Sequence, residues 1–253
     1  MKKIALATTA LFILSAGAAS AADLAARPYT KAPPVPMAAV YNWTGFYIGA
    51  NGGGGWSDQR WDLYNVLGVP GGPVAEGSHT ASGATAGGQI GYRWQASNWV
   101  FGLEAQGNWA DFSGSNNSLF FADTTNRTRV DALGLFTGQI GYAWNNVLWY
   151  VKGGAAVTRN KHEGVVTSTG FVFDRATETR WGGVVGTGLE FGFAPNWSLA
   201  IEYDHLFMGD RDISMFSTAL PGVLTRGDTI RQDIDMVTAR INYRFGGPVV
   251  ARY

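Results

Sequence analysis

The chain has 253 residues, with 19 basic and 19 acidic side chains, 35 glycines and no cysteine. That length provides for one or two domains, the missing cysteine excludes disulfides and thiol chemistry, and the balanced charge offers nothing to nucleic acid. Only 15% of residues are charged, against about 25% in a typical soluble protein, which fits a strand-rich chain with lipid on one side.

The first residues read MKKIALATTALFILSAGAASAADL. Basic Lys2 and Lys3, an apolar stretch from Ile4 to Ala18 and the small-x-small run Ala19-Ser20-Ala21 predict a cleaved secretory signal peptide over 1–21. Without Lys2 and Lys3 the mature chain carries two more acids than bases. Nothing later offers roughly 18 consecutive apolar residues, so no spanning helix is expected. Residues 22–42 hold Pro28, Pro33, Pro34 and Pro36 and predict an extended periplasmic linker.

Past Trp43 the polarity alternates with period two. The pattern predicts strands near 44–56, 81–94, 98–110, 130–143, 147–158, 180–193, 196–207 and 231–245. The gaps at 95–97, 144–146 and 194–195 are very short. Those at 57–80, 111–129, 159–179 and 208–230 are long, polar or glycine-rich, and read as solvated, mobile loops. Short turns alternating with long loops are the habit of outer-membrane barrels. The expectation is therefore all-β: an eight-stranded antiparallel up-and-down transmembrane β-barrel over 43–247. Both of its ends are periplasmic, and a short tail covers 248–253.

Aromatic spacing sharpens this. Ten residues of tilted strand rise about 25 Å, the height of a barrel's lipid belt. Phe46/Trp56, Trp99/Trp109, Trp181/Phe191 and Trp197/Phe207 are each ten apart. With Phe245 they form the expected lipid-interface girdle. A soluble β-sandwich needs no such interval. The opposite parity carries Arg93, Glu104, Lys152, Glu190, Glu202, Asp204, Arg240 and Arg244, with Gln89, Gln106 and Gln139. Charges in a narrow lumen are tolerated when paired, and eight strands leave a bore that side chains fill. Arg240 and Arg244 are expected to point inward against carboxylates, with Arg93, Arg244 and Glu190 as a second cluster nearer the periplasm. The network reads as a structural filling; a narrow small-solute channel is the alternative.

Other motifs carry little chemistry. The glycine runs Gly52–Gly55 and Gly186–Gly192 open no helix, so they are not phosphate loops. His79, His162 and His205 match no zinc spacing. Asp204 and His205 are adjacent in a strand and face opposite ways, so they form no acid–base pair. No catalytic residue, metal site or cofactor is expected, and the chain does not read as an enzyme. His79, Arg159, Lys161 and His162 in the expected loops offer a second alternative: capture of an anionic ligand or metalloporphyrin from outside.

The runs YNWTGFYIGANGGGGW (Tyr41–Trp56), YTKAPPVP (Tyr29–Pro36), GQIGY at 88–92 and again at 138–142, and INYRFGG (Ile241–Gly247) together resemble the small alphaproteobacterial outer-membrane β-barrel proteins. These are called outer-membrane immunogenic or surface-antigen proteins and are sometimes grouped with porins. The resemblance covers nearly the whole mature chain. It implies location in the Gram-negative cell outer membrane and a role in envelope integrity and surface exposure; it supplies no catalytic residues. Outer-membrane lipid, lipopolysaccharide, the barrel-assembly machinery during insertion, and a host or surface ligand reached by four loops are the expected partners. The assembly signal falls to Phe245 or to Tyr253.

Overall fold

A computed structural model describes residues 41–246. The expected signal peptide, all of the expected linker but Tyr41 and Asn42, and the expected tail lie outside the described residues. Eight strands follow in chain order: β1 (Gly45–Val66), β2 (Val69–Ala96), β3 (Trp99–Asn117), β4 (Thr124–Trp144), β5 (Val147–Val166), β6 (Val172–Ala194), β7 (Trp197–Ser217) and β8 (Leu224–Arg244). Each pairs antiparallel with the next, and β8 returns to β1 with Tyr47 opposite Arg244, closing one barrel. Both described termini and the two-residue connections at 97–98, 145–146 and 195–196 lie at one end, here the near end.

The strands are 19 to 28 residues long, about twice the 9–11 that cross a bilayer. Most of the four segments expected as loops is therefore wall. The true far-end turns shrink to 67–68, 118–123, 167–171 and 218–223. Leu67 and Gly68 both take positive φ, 50° and 84°, the twist a two-residue hairpin turn requires.

The physical reason is an inversion of the alternation. On β1, Phe46, Ile48 and Trp56 point out, while Tyr47, Asn51 and Ser57 point in. Beyond Trp56 the outward residues are Asp58, Arg60 and Asp62, and after the buried Ser57 and Gln59 the inward ones are Trp61 and Leu63. Apolar-out gives way to apolar-in, so the longer strand reads as two unrelated segments. Register shifts at Trp109/Phe112, Val130/Ala132 and Phe207/Gly209 mark the same height. An added residue there resets which parity faces in, so Phe207 and Asp210 are both exposed.

The lumen is filled in layers. Tyr41 and Trp43, ahead of β1, turn into the near mouth and pack on Val100, Ala143, Leu148 and Tyr150. Tyr41, expected in the linker, is thus part of the filling. A charged layer follows. Above it Phe112, Leu133, Leu135, Leu206, Ile234 and Met236 form an apolar layer. Ser57, Asn160 and Gln232 then bond across the bore. Trp61, Ile213, Met215 and Ile230 make a further apolar cluster towards the far end.

Leu103 stands outward on β3, 61% exposed. Leu103→Arg is expected to cost about 2–4 kcal/mol of bilayer insertion, read as loss of the heat-modifiable folded band in vesicles. Ser115→Arg, on the exposed far wall, is expected to fold like the parent. Equal folded yields would mean that the outward face does not meet lipid.

Candidate functional site

The charged layer is the densest polar constellation among the described residues. Arg240 on β8 forks to Glu104 on β3 and Glu202 on β7. Lys152 on β5 meets Glu202 at 2.7 Å, Asp204 at 3.1 Å and Glu104 at 3.8 Å. Tyr47 donates to Glu104 at 2.6 Å, and Tyr150 to Glu202 at 2.5 Å. Nearer the mouth Arg93 meets Glu190 at 2.9 Å and stacks over Tyr47 at 4.6 Å. All of these side chains are buried. A guanidinium suits the bridging place, because its planar fork reaches two carboxylates at once.

Arg244 corrects the sequence expectation. It lies inward, but its hydrogen bonds run to the carbonyls of Thr44 and Pro195, at 3.1 and 3.0 Å, and its guanidinium covers the Tyr41 ring at 5.4 Å. It ties the near mouth shut instead of joining Arg93 and Glu190. The signal for this was the aromatic Tyr41 just ahead of Trp43, which the linker assignment absorbed.

A repeat that spacing alone did not disclose underlies the layer. Tyr47, Gly91, Glu104 and Thr137 stand in register across β1 to β4. Tyr150, Gly188, Glu202 and Thr238 do the same across β5 to β8. In each set the tyrosine lies flat over its glycine. A Cβ on Gly91 would sit 2.5 Å from the Tyr47 hydroxyl, and one on Gly188 2.5 Å from that of Tyr150. Two residues further along each strand the halves differ. Arg93 corresponds to Glu190, and these two pair with each other across the bore. Gln139 corresponds to Arg240, and Gly49 to Lys152. The skeleton is two-fold; the cations are not.

On the outer wall, Phe46, Trp56, Trp99, Trp109, Trp181, Phe191, Trp197, Phe207 and Phe245 are exposed, from 40% at Trp56 to 79% at Trp109. Phe245 follows the last residue of β8 and meets Tyr243 edge-on at 5.1 Å. His205 is turned from Asp204, as adjacent strand residues are. It instead meets Asp235, directly opposite on β8, at 2.7 Å. Cross-strand register, which the sequence does not display, makes that pair.

The far end holds a second buried set. Arg226 meets Glu76 at 2.6 Å, Asp174 at 3.0 Å and Asp228 at 3.6 Å, so three carboxylates share one guanidinium. Burial pushes the Asp228 carboxyl up to about 7, against the pull of Arg226 and with the help of Glu76 and Asp174. His162 and His79 flank Trp61, at 5.4 and 6.3 Å between rings. Burial lowers the pKa of both imidazoles. The expectation of solvated loop histidines is corrected here: His162 is fully buried.

Removing Arg240 leaves Glu104, Glu202 and Asp204 with Lys152 as their one remaining cation. Arg240→Ala is expected to lose about 3–5 kcal/mol of stability, measured by urea unfolding in micelles, with Arg240→Lys recovering only part. At the far end the raised Asp228 contributes stability that is complete below the ordinary carboxylate range and lost as pH rises through about 7. The lowered histidines act oppositely: their contribution is present above their unfolded value and lost as pH falls through the folded one. Asp228→Asn keeps the histidines and removes the carboxylate. Its stability is therefore expected to fall less than the parent's between pH 5 and 8. Identical pH slopes would show that Asp228 does not titrate in that window.

The outer membrane protein beta-barrel domain family matches residues 6–245 of this chain. The 31 kDa outer-membrane immunogenic protein of Brucella melitensis is 29% identical over 229 residues, covering 84% of this chain and 90% of that protein. An uncharacterized protein of Coxiella burnetii is 31% identical over 185 residues, covering 64% of this chain and 68% of that one. Among solved structures, the outer membrane protein OprG from Pseudomonas aeruginosa aligns with a TM-score of 0.48 at 14% identity, over 81% of this chain and 99% of its own. A closed eight-stranded barrel, a family match over nearly the whole chain and outer-membrane relatives agree: the chain is an outer-membrane protein of the outer membrane protein beta-barrel domain family.

Proposed function

We propose that this protein is a structural, non-conducting barrel that supports the envelope and presents its far-end turns outside the cell. The near end, with both described termini and the turns at 97–98, 145–146 and 195–196, faces the periplasm in this reading. The far end rises past the bilayer as a rigid wall and displays the turns at 67–68, 118–123, 167–171 and 218–223. The immunogenic label carried by the Brucella relatives supports surface display.

The observation that carries the reading is the filled lumen. An ion entering from either end meets buried apolar side chains: Tyr41, Trp43 and Leu148 at the near mouth, then Phe112, Leu135, Leu206 and Met236 past the charged layer. Water is excluded from such layers, and an unpaired ion in them is heavily penalised. A narrow channel needs a continuous polar path, which these layers interrupt. The reading also assigns no chemistry to the barrel. Among the described residues no hydroxyl hydrogen-bonds the His205 imidazole, whose partner is Asp235, so the pair lacks the nucleophile that a hydrolase requires. Lipid around the aromatic girdle, lipopolysaccharide at the outer leaflet and the assembly machinery during insertion are the partners this function calls for, with Phe245 as the aromatic that closes the last strand.

The test is electrical. The refolded protein in a planar bilayer is expected to give no single-channel steps, while an antibody raised against residues 118–123 labels intact cells. Reproducible conductance steps, abolished by Arg240→Ala or Glu104→Ala, would replace this reading with the channel.

A further inference from the structure

Outside the lumen, charge on the far wall is sorted by side. On β4 to β6 the wall carries five cations: Arg127, Arg129, Arg159, Lys161 and Arg175. On β7, β8 and β1 six acids, Asp58, Asp62, Asp210, Asp212, Asp233 and Asp235, outnumber Arg60, Arg211 and Arg231. The register makes the cationic side compact. Lys161 stands directly opposite Arg129, and Glu163 opposite both Arg127 and Arg175. Cations facing across strands repel, and the local acids only partly relieve them. Asp131 serves Lys161 at 2.6 Å and Arg129 at 3.1 Å; Asp111 also meets Arg129, at 2.9 Å. Glu163 is shared between Arg175 at 3.1 Å and Arg127 at 3.9 Å. Arg159, exposed between Ala132 and Thr179, meets no carboxylate among the described residues.

Height decides what this surface meets. Val157, two residues before Arg159, pairs with the girdle residue Trp181. Two residues of tilted strand rise about 5 Å. Arg159 therefore projects just above the aromatic girdle, with Lys161 and Arg129 one step higher and Arg127 and Arg175 above those. Long cationic side chains lay their stems on apolar surface and lift their charges to the interface. Guanidinium forks match phosphate oxygens. The supports are strands, so the cations are held in place without a loop having to order.

We propose that the outer face of β4 to β6 binds the phosphorylated headgroup of an outer-leaflet glycolipid, with Arg159 and Lys161 on the phosphate and Arg129 completing the cradle. The proposal rests on the orientation given under Proposed function, with the far end outside. The acidic wall of β7, β8 and β1 repels the same headgroup, so the bound lipid sits on one side of the barrel.

The test uses the refolded mature protein, with heat-modifiable gel mobility certifying that each variant is folded. Retention of bisphosphorylated lipid A is read by native mass spectrometry against dephosphorylated lipid A. The parent is expected to hold the phosphorylated lipid. Combining R129A, R159A and K161A is expected to weaken retention about a hundredfold, the loss for three cations at a charged membrane surface. Combining R60A and R231A, on the acidic wall, is expected to leave retention unchanged. Equal retention by parent and triple variant, or no preference for the phosphorylated lipid, overturns the site. Inorganic phosphate displacing the lipid at equal concentration would reassign it to a free anion, and a lipid-independent dimer lost only in the triple variant would reassign it to a second copy; either overturns the proposal. Conductance with lipid retention by the parent intact would sink the structural reading alone, and a parent that neither conducts nor retains the phosphorylated lipid would sink this site alone.

Discussion

A carboxylate in a dry lumen is costly unless a cation meets it, and here two carboxylates on opposite sides of the barrel meet the same one. Arg240 holds Glu104 of β3 and Glu202 of β7, with Lys152 completing the contact from β5. Backbone ladders close the cylinder, but they leave inward polar groups to find partners across the bore. The three-way contact supplies them and ties distant walls together. Every other layer is arranged around it: tyrosines below hand hydrogen bonds to the carboxylates, and an apolar layer above keeps water from them.

The repeated Tyr–Gly–Glu–Thr ladder explains why one arginine suffices. Two equivalent half-barrels bring two equivalent glutamates to the axis, where a single fork bisects the distance. The glycines are needed because each tyrosine ring occupies the volume a side chain would fill. Had both halves carried an arginine at the Arg240 position, two guanidiniums would compete for one pair of acids. Gln139 stands there instead, accepting from Arg93 and donating to Tyr47. Asymmetry in the cations is what lets a symmetric frame be electrically filled. The same logic pairs Arg93 with Glu190, its own counterpart across the axis.

Within the lipid belt the fold was legible, because hydrocarbon outside and polar filling inside impose one continuous alternation with an aromatic at each interface. The strand number, their antiparallel order and the inward parity of Glu104, Glu202 and Arg240 could all be read there. Past Trp56 and Phe207 the outside becomes water and the alternation inverts, so the outer half of each strand looked like loop. Bulges at that height reset the parity as well. Partnerships fared worse than placements. His205 with Asp235, Arg244 with two carbonyls and Arg226 with three acids depend on register or on chain outside the strands, and neither has a local signature.

A wall that continues past the bilayer changes what the outer surface can be. Loops present side chains at the expense of ordering them on contact; strands hold them already placed. The apolar cluster of Trp61, Ile213, Met215 and Ile230 gives the projecting wall its own core, so its rigidity does not depend on lipid. Charge on that wall is then a fixed pattern at fixed heights. The inward face of the barrel resolves its charges by pairing them across a narrow bore. The outward face has no opposite wall to pair with, so its excess charge must be answered by whatever lies beside it in the membrane.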